Sequence, residues 1–312
     1  MVRIICLLAL LSVLPAFADV KLTREGERID VTVDGKPLTS FYFGSEAPKP
    51  YLHPWRSPSG KILTRGYPMI KDVPGESKDH PHHRGIWYTH GDVNGADLWA
   101  ENPKTGKVVL KSLGQVKSGK QSGSITADFD WQTVDGKKLL VEHRVMTFFP
   151  AAIDFEITLK NEGAEKVKLG DTKEGAFAIR VVKSLEEKTP KCPACTGVML
   201  NSEGAQGEKA VWGKRARWVD YSGTVEGENL GISIFDHPSN PKHPTYWHAR
   251  GYGLFAVNPF GEHDYYNDKT RDGSLTIDPG GKLTFRYRVW VHAGDAASAK
   301  VEEEYQKWVR KH

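Results

Sequence analysis

Apolar and polar residues alternate with a period of two over much of the chain, the pattern of strands that bury one face and wet the other. Ile29, Val31 and Val33 form one such run, and Ile125, Ala127, Phe129 and Trp131 a second. Ile153, Phe155, Ile157 and Leu159 form a third, and Leu283, Phe285, Tyr287, Val289 and Val291 a fourth. Asp34-Gly35 and Asp135-Gly136 lie between such runs. These pairs accept the positive φ of a tight hairpin turn, so antiparallel pairing is expected. Pro279-Gly280-Gly281 introduces the last long strand, and Gly294-Asp295 is expected to cap a segment in which Val301, Tyr305 and Trp308 recur at helical spacing. The expected fold is mainly β: a large antiparallel β-sandwich with one C-terminal helix. Residues 44–84, 186–215 and 236–250 are rich in Pro, Gly and His and are expected as long ordered loops that carry function.

The start of the chain has a separate role. Arg3 precedes an apolar run from Ile4 to Val13, and the small residues Ala16 and Ala18 stand before Asp19. A basic start, an apolar stretch and a small-residue cleavage site make a signal peptide over residues 1–18. The run is shorter than the roughly 20 residues that span a bilayer, no later segment reads as a span, and Cys6 sits too early for lipid attachment. The product is expected to be exported to the periplasm or beyond, with residues 19–312 as a single β-sandwich domain. Such a length is ordinary for a large sandwich or barrel.

The net charge of +4 is spread along the chain without basic blocks, which argues against nucleic acid or an acidic membrane as partner. Nine Trp, eleven Tyr and twelve Phe include many beside charged residues or His. Most are expected in the core, but flat rings of this kind also pack on the apolar faces of sugars, so the expected ligand is a small molecule or an oligosaccharide. Cys192 and Cys195, in Lys-Cys-Pro-Ala-Cys-Thr, are expected to form a local disulfide in an exported protein. Zinc would want two further ligands, haem a His in place of Thr196, and a redox motif a following helix.

Three clusters could carry chemistry. The densest is Asp79-His80-Pro81-His82-His83-Arg84-Gly85-Ile86-Trp87, extended by His90, with four of the twelve His within eleven residues. Pro81 biases His80 toward an extended backbone, so a continuing strand would point His80 and His82 to one side and His83 to the other. His80 and His82 could then hold one divalent transition metal with a third ligand from elsewhere. Alternatively, His83 could transfer protons near neutral pH without any cofactor, with Arg84 and Trp87 gripping the ligand. A hydrogen-bonded structural cluster is the plain alternative. The second cluster, Gly170-Asp171-Thr172-Lys173-Glu174-Gly175-Ala176-Phe177-Ala178-Ile179-Arg180, sets two carboxylates before an apolar strand; Asp171 and Glu174 could be an acid and a base, with a turn role beside Lys173 favoured for Asp171 and catalysis for Glu174. The third spans His237, His248, Glu262 and His263; His237 and His248 are read as ligand-binding, as is Arg56 in Tyr51-Leu52-His53-Pro54-Trp55-Arg56.

Pro50-Tyr51-Leu52-His53-Pro54, Asp79-His80-Pro81-His82-His83-Arg84-Gly85, Gly91-Asp92-Val93-Asn94-Gly95 with Asp97-Leu98-Trp99, and Asp171-Thr172-Lys173-Glu174-Gly175 together resemble a family of exported bacterial proteins of unknown function, sometimes labelled "methane oxygenase PmoA". That label names an integral membrane subunit, which a chain without a span after its signal does not match. The ending from Pro279 to His292 is similar to the last strands of galactose-mutarotase-like sandwiches, which implies a supersandwich of that type and raises the expectation of sugar chemistry. Three readings follow. The first is an exported carbohydrate-active enzyme, glycoside-cleaving or sugar-rearranging, a hydrolase or lyase with His83 and Glu174 as its acid–base pair. The second is a metal-dependent enzyme or oxygenase with His80 and His82 as ligands. The third is a carbohydrate-binding protein without catalysis.

Overall fold

The computed structural model describes residues 18–311, and the expected signal peptide, apart from Ala18, lies outside the described residues. Alternation produces two large antiparallel sheets, as expected. The first has ten strands, in the order Arg215–Ala216, Thr245–Arg250, Leu254–Val257, Gly175–Arg180, Ile86–His90, Tyr51–Leu52, Lys36–Tyr42, Arg28–Val33, Asp19–Glu25 and Gly119–Lys120. The second has eight: Val198–Asn201, Trp218–Val225, Glu228–Asp236, Lys282–Ala293, Ala152–Lys160, Lys138–Phe148, Gly123–Gln132 and Lys107–Lys117. A two-stranded ribbon, Val167–Leu169 with Leu275–Ile277, lies beside them.

The apolar phase of each strand points between the sheets, where one continuous core contains Phe41, Tyr88, Phe177 and Phe255 from the first and Phe129, Phe155, Ile234 and Tyr287 from the second. Ring contacts tie the layers together: Phe41 meets Phe129 edge-on at 6.4 Å, Phe177 meets Phe155 at 4.8 Å and stacks on Tyr287 at 4.9 Å. The hairpin joining Arg28–Val33 to Lys36–Tyr42 turns through Asp34 and Gly35, both at positive φ. At Asp135-Gly136 Gly136 takes the positive φ and Asp135 does not.

The outer face of the eight-stranded sheet is covered by the C-terminal helix, Val301–Val309, whose Val301, Tyr305 and Trp308 pack on Trp218 and Phe235. Its start differs from expectation. Asp295 caps a separate turn, accepting from Ser298 N at 2.8 Å, and the helix begins only after Lys300, which is left-handed. Two shorter helices, Glu208–Val211 and Glu262–Tyr266, lie within loops. No helix among the described residues is long and apolar enough to cross a membrane.

Phe177 sits at the centre of this core with no exposed surface. Phe177→Ala should cost about 3–5 kcal/mol of unfolding free energy, through lost burial and the cavity left between the sheets. Urea denaturation measures this, and a loss below about 1 kcal/mol would mean that the two layers do not close around this ring.

Candidate functional site

The ten-stranded sheet carries a second, smaller apolar group on the face turned away from the core: Tyr51, Trp87, Trp99, Ala178, Leu254 and Ala256, with Met69 and Tyr252 against it. Register explains its composition. Tyr51 pairs with Trp87, Trp87 with Ala178, Ala178 with Ala256, and Ala256 with His248, so these five side chains form one row across the sheet. Two alanines in the middle form a low floor with no exposed surface, within a cluster that Met69 and Tyr252 pack against. The row two residues further along the strands is Arg180, Leu254 and Arg250.

The His-rich segment lies over this face as a turn rather than a strand. His80 is left-handed at φ 44°, and His83 N donates to its carbonyl at 3.0 Å. The expected opposition of His83 to His80 and His82 therefore fails. The turn gathers all three rings: His80 stacks on His83 at 4.7 Å, and His82 meets both edge-on at 5.6 and 4.4 Å. A column results, in which Tyr252 stacks on His80 at 5.4 Å and His83 stacks on Trp87 at 5.2 Å. Gly85 lets the chain pass from turn to strand, because a Cβ there would stand 2.1 Å from the Leu52 carbonyl oxygen and φ is +58°.

Charge, more than apolar contact, docks this turn. Arg65 donates to the Asp79 carboxylate at 2.7 Å and to the carbonyls of Ser77, Asp79 and His80. Arg180 donates to the same carboxylate oxygen at 3.1 Å and to His83 Nδ1 at 3.1 Å. Both arginines are almost fully buried. Burial alone would raise the Asp79 carboxyl, but Arg180 and His80 hold it down at about 2. Because guanidinium only donates, His83 Nδ1 must be the acceptor, and the ring is neutral with its proton on Nε2. Burial pushes the His83 pKa far down, and the charges of His82 and Arg180 add to this.

The flanks differ in character. On one side Arg84 grips Glu101 with a fork of bonds at 2.9–3.0 Å and lies over Tyr51, while the fully buried Lys49 ammonium joins Glu101 at 3.0 Å and the Trp99 carbonyl at 2.7 Å. Burial lowers Lys49 to about 8, against the pull of Glu101. His82, beside it, is lowered to about 4 by burial and then by Lys49. On the other side His248 meets the Lys173 carbonyl with Nδ1 at 2.8 Å, so Nδ1 carries the proton and Nε2 keeps its lone pair. Burial lowers His248 to about 4, and the nearby Glu174 carboxylate opposes this. Glu174 is 37% exposed in its side chain and pairs with Lys173 at 3.2 Å. Tyr252, stacked on His80, also has the Arg180 and Arg250 guanidinium groups over its ring at 4.6 and 5.4 Å.

Several expected residues take other roles. Trp87 is 1% exposed, so it backs His83 and offers no face to a ligand. His237 belongs to the opposite sheet, where its Nδ1 meets Ser239 at 2.7 Å and its ring abuts Trp308. Arg56 interacts with His53 and Tyr42 and is not joined to the histidine turn. Arg84 commits Nε and Nη2 to Glu101. Asp171 is nearly buried and is bound by His263 and by the backbone of His263 and Gly273, so it ties distant loops together rather than closing a local turn beside Lys173, which pairs with Glu174. His80 and His82 find no third metal ligand: among the described residues the one set of three His, Cys, Asp or Glu with ligand atoms mutually within 4.8 Å is Glu186, Cys192 and Cys195. Cys192 and Cys195 are joined as a disulfide. Arg65, Tyr252, Lys49 and Glu101 were not singled out from sequence, and Arg180, which closes the second cluster, was given no role. Arg180 ends a strand buried on both faces and the others sit in loops, with no local pattern to mark them.

The chain belongs to a family of unknown function, DUF6807, whose model matches residues 28–306. No curated protein matches it in sequence. Among solved structures it is similar to a galactose mutarotase-like protein from Clostridium acetobutylicum, at 10% identity and TM-score 0.48, covering 89% of this chain and 99% of that one. A putative aldose 1-epimerase from Klebsiella pneumoniae gives 10% identity and TM-score 0.41, covering 94% and 87%. The GH36 α-galactosidase of Geobacillus stearothermophilus gives 10% identity and TM-score 0.45; 90% of this chain is covered but only 41% of that one.

Buried neutral histidines make stability depend on pH. His53, His90 and His248 are each lowered to about 4, with burial the largest cause. As pH falls from about 6.5 toward 4, the unfolded chain takes up protons that the native one refuses, so stability is full above 6.5 and is lost below it. Each ring contributes up to about 1.4 kcal/mol per pH unit. The buried carboxyls of Asp236 and Glu186, pushed up by burial, act in the opposite sense at the acid end. Unfolding free energy should be lower at pH 5 than at pH 7 by on the order of 5 kcal/mol. Urea midpoints at the two values test this, and equal midpoints would mean that the rings are charged in the native state.

Proposed function

We propose that this member of the family is an exported carbohydrate-active enzyme whose ligand sits on the outer side of the ten-stranded sheet, between the histidine turn and the Glu174–His248 flank, against the partly exposed rims of His80 and Tyr252. The observation that carries this reading is a pair of fixed, opposite imidazole tautomers on one sheet face. His83 presents Nε2–H as a donor, and His248 presents a bare Nε2 as an acceptor. The strand of Arg180, which holds His83, and the strand of His248 are two strand spacings apart, roughly 10 Å. A neutral polyol offers both an acceptor and a donor across such a span, and the rims of His80 and Tyr252 give it partly exposed ring surface.

The tautomers favour one chemistry over another. A neutral His83 cannot give up Nε2–H outright, but it can polarise an oxygen that gains negative charge. Cleaving a glycoside needs a group with a proton to lose to the leaving oxygen. Rearranging a sugar at its carbonyl or anomeric centre needs polarisation of that oxygen together with a base to move a proton. Glu174, half-exposed and next to His248, is that base; His248 accepts from a hydroxyl and orients the ring. On this reading His83 polarises the oxygen, and proton transfer is left to the carboxylate.

Incubation with a panel of free aldoses, uronic acids and glycosides, followed by NMR for anomer exchange, solvent deuterium uptake or bond cleavage, tests the proposal. Turnover of a free sugar is expected. Glu174→Gln should lower kcat by about 100-fold or more with KM little changed, and His248→Gln should act mainly on KM. Full activity in Glu174→Gln removes the carboxylate from the mechanism, and binding without any product leaves a carbohydrate-binding protein.

Export completes the proposal. Cleavage after Ala18 would give Asp19 a free ammonium group, and its nitrogen already stands 2.7 Å from the Asp34 carboxylate. Intact mass of the protein recovered outside the cytoplasm is expected to fit a chain starting at Asp19; a chain retaining residues 1–18 would contradict this.

A further inference from the structure

Behind Arg180, away from the alanine floor, the disulfide loop brings sulfur and carboxylate together. Cys192 and Cys195 lie on a turn held by Thr189 N to Cys192 O at 3.3 Å and Cys192 N to Thr189 O at 3.0 Å. Cys195 is 1% exposed and Cys192 9%. One ligand atom from each cysteine and one from Glu186 lie within 4.8 Å of one another. Glu186 is fixed from both sides along the backbone: its N–H donates to Lys183 O at 2.9 Å, and its carbonyl accepts from Gly197 N at 2.9 Å. Gly197 is forced by this crossing, since a Cβ there would stand 1.8 Å from the Leu185 carbonyl oxygen. The Glu186 carboxylate pairs with Arg180 Nη2 at 4.0 Å.

We propose that the reduced form of this loop is a binding site for a zinc-class divalent ion, with the Cys192 and Cys195 thiolates and the Glu186 carboxylate as ligands. Two sulfurs and one oxygen form a donor set that borderline-soft ions accept, and three protein ligands leave a fourth position open. The Cys-x-x-Cys spacing supplies half of a tetrahedral site, and the fold adds Glu186 from ten residues or fewer upstream in each case. An external dithiol or phosphine delivers two electrons to the Cys192–Cys195 bond, is itself oxidised, and leaves two thiols. Metal binding then displaces both thiol protons to solvent. Glu186 turns from Arg180 toward the ion, and Arg180 is the residue that holds Asp79 and His83. The site is thus a redox-gated one, linked to the histidine turn through Arg180, and its test does not depend on the sugar chemistry proposed above.

The test is titration of the full mature chain with Co²⁺ as a spectroscopic probe, with Zn²⁺ in competition, before and after reduction with a phosphine. Near-ultraviolet circular dichroism is recorded on the same samples. Reduced protein is expected to bind one Co²⁺ with thiolate charge-transfer absorption, displaced by Zn²⁺, while oxidised protein and the Cys192→Ser, Cys195→Ser double variant show no such band. Glu186→Gln should keep the band and lose at least about 10-fold in affinity. Absence of the band in reduced, folded protein overturns the site, and so does a reduced chain that loses its tertiary dichroism and therefore has no folded thiol form. Unchanged affinity in Glu186→Gln removes the carboxylate and with it the link to Arg180.

Discussion

Arg180 and Arg65 bring two guanidinium groups to the outer face of one sheet and bury both of them almost completely, and the arrangement of everything above that face follows from how those charges are met. Asp79 meets them with a single oxygen, 2.7 Å from Arg65 and 3.1 Å from Arg180. Taking away that carboxylate would leave two desolvated cations facing each other, a loss on the order of 3–5 kcal/mol. The segment bearing Asp79 is therefore docked by ionic attraction, and Arg65 adds the three carbonyls of Ser77, Asp79 and His80 to the same clamp. His80 adopts its left-handed backbone within this clamp, and His83 is thereby delivered to the free edge of Arg180.

The clamp also sets what the histidines can do. A ring whose Nδ1 accepts from guanidinium cannot take a second proton there without losing that bond and placing a cation beside another cation. His83 is neutral for this reason as much as for its burial. His248 reaches the same net charge by the opposite route, donating from Nδ1 to a backbone carbonyl. Neutral imidazoles of defined tautomer are poor proton reservoirs but well-defined hydrogen-bonding groups. On the proposed reading this leaves proton transfer to Glu174, which pairs with Lys173, whereas Glu101 is committed to Arg84 and Lys49 and Asp79 to Arg65 and Arg180.

The sequence carried most of the fold in its alternation, because a half-buried strand leaves a period of two wherever it lies. Hairpins were legible at Asp34-Gly35, where the turn chemistry is local. Sheet order was not: Gly175–Arg180 lies between Ile86–His90 and Leu254–Val257, and nothing local announces pairing over such separations. The same limit applies to the site. His80, His82 and His83 stood out by density, but Arg180 reads as the polar end of an ordinary strand and Tyr252 as a turn residue. His237 and His248 are close in sequence, yet the 236–244 loop is tied to Arg286 on the other sheet, so proximity along the chain misled. Trp87 looked like a ligand platform beside its histidines, and only its row partners show that His83 already occupies its face.

The two outer faces of the sandwich are covered in different ways. On the eight-stranded sheet Trp218 and Phe235 stand under the C-terminal helix, against Tyr305 and Trp308. On the ten-stranded sheet the corresponding middle positions are Ala178 and Ala256, which have no exposed surface and lie in a cluster closed by loop side chains such as Met69 and Tyr252 rather than by a helix. Replacing either alanine with a larger apolar residue would crowd that cover without touching the inner core, because the inward neighbours Phe177, Ile179, Phe255 and Val257 belong to the opposite phase of the same strands. The period of two that builds the sandwich thus also separates its inner core from the cluster beneath the histidine turn, one residue apart along each strand.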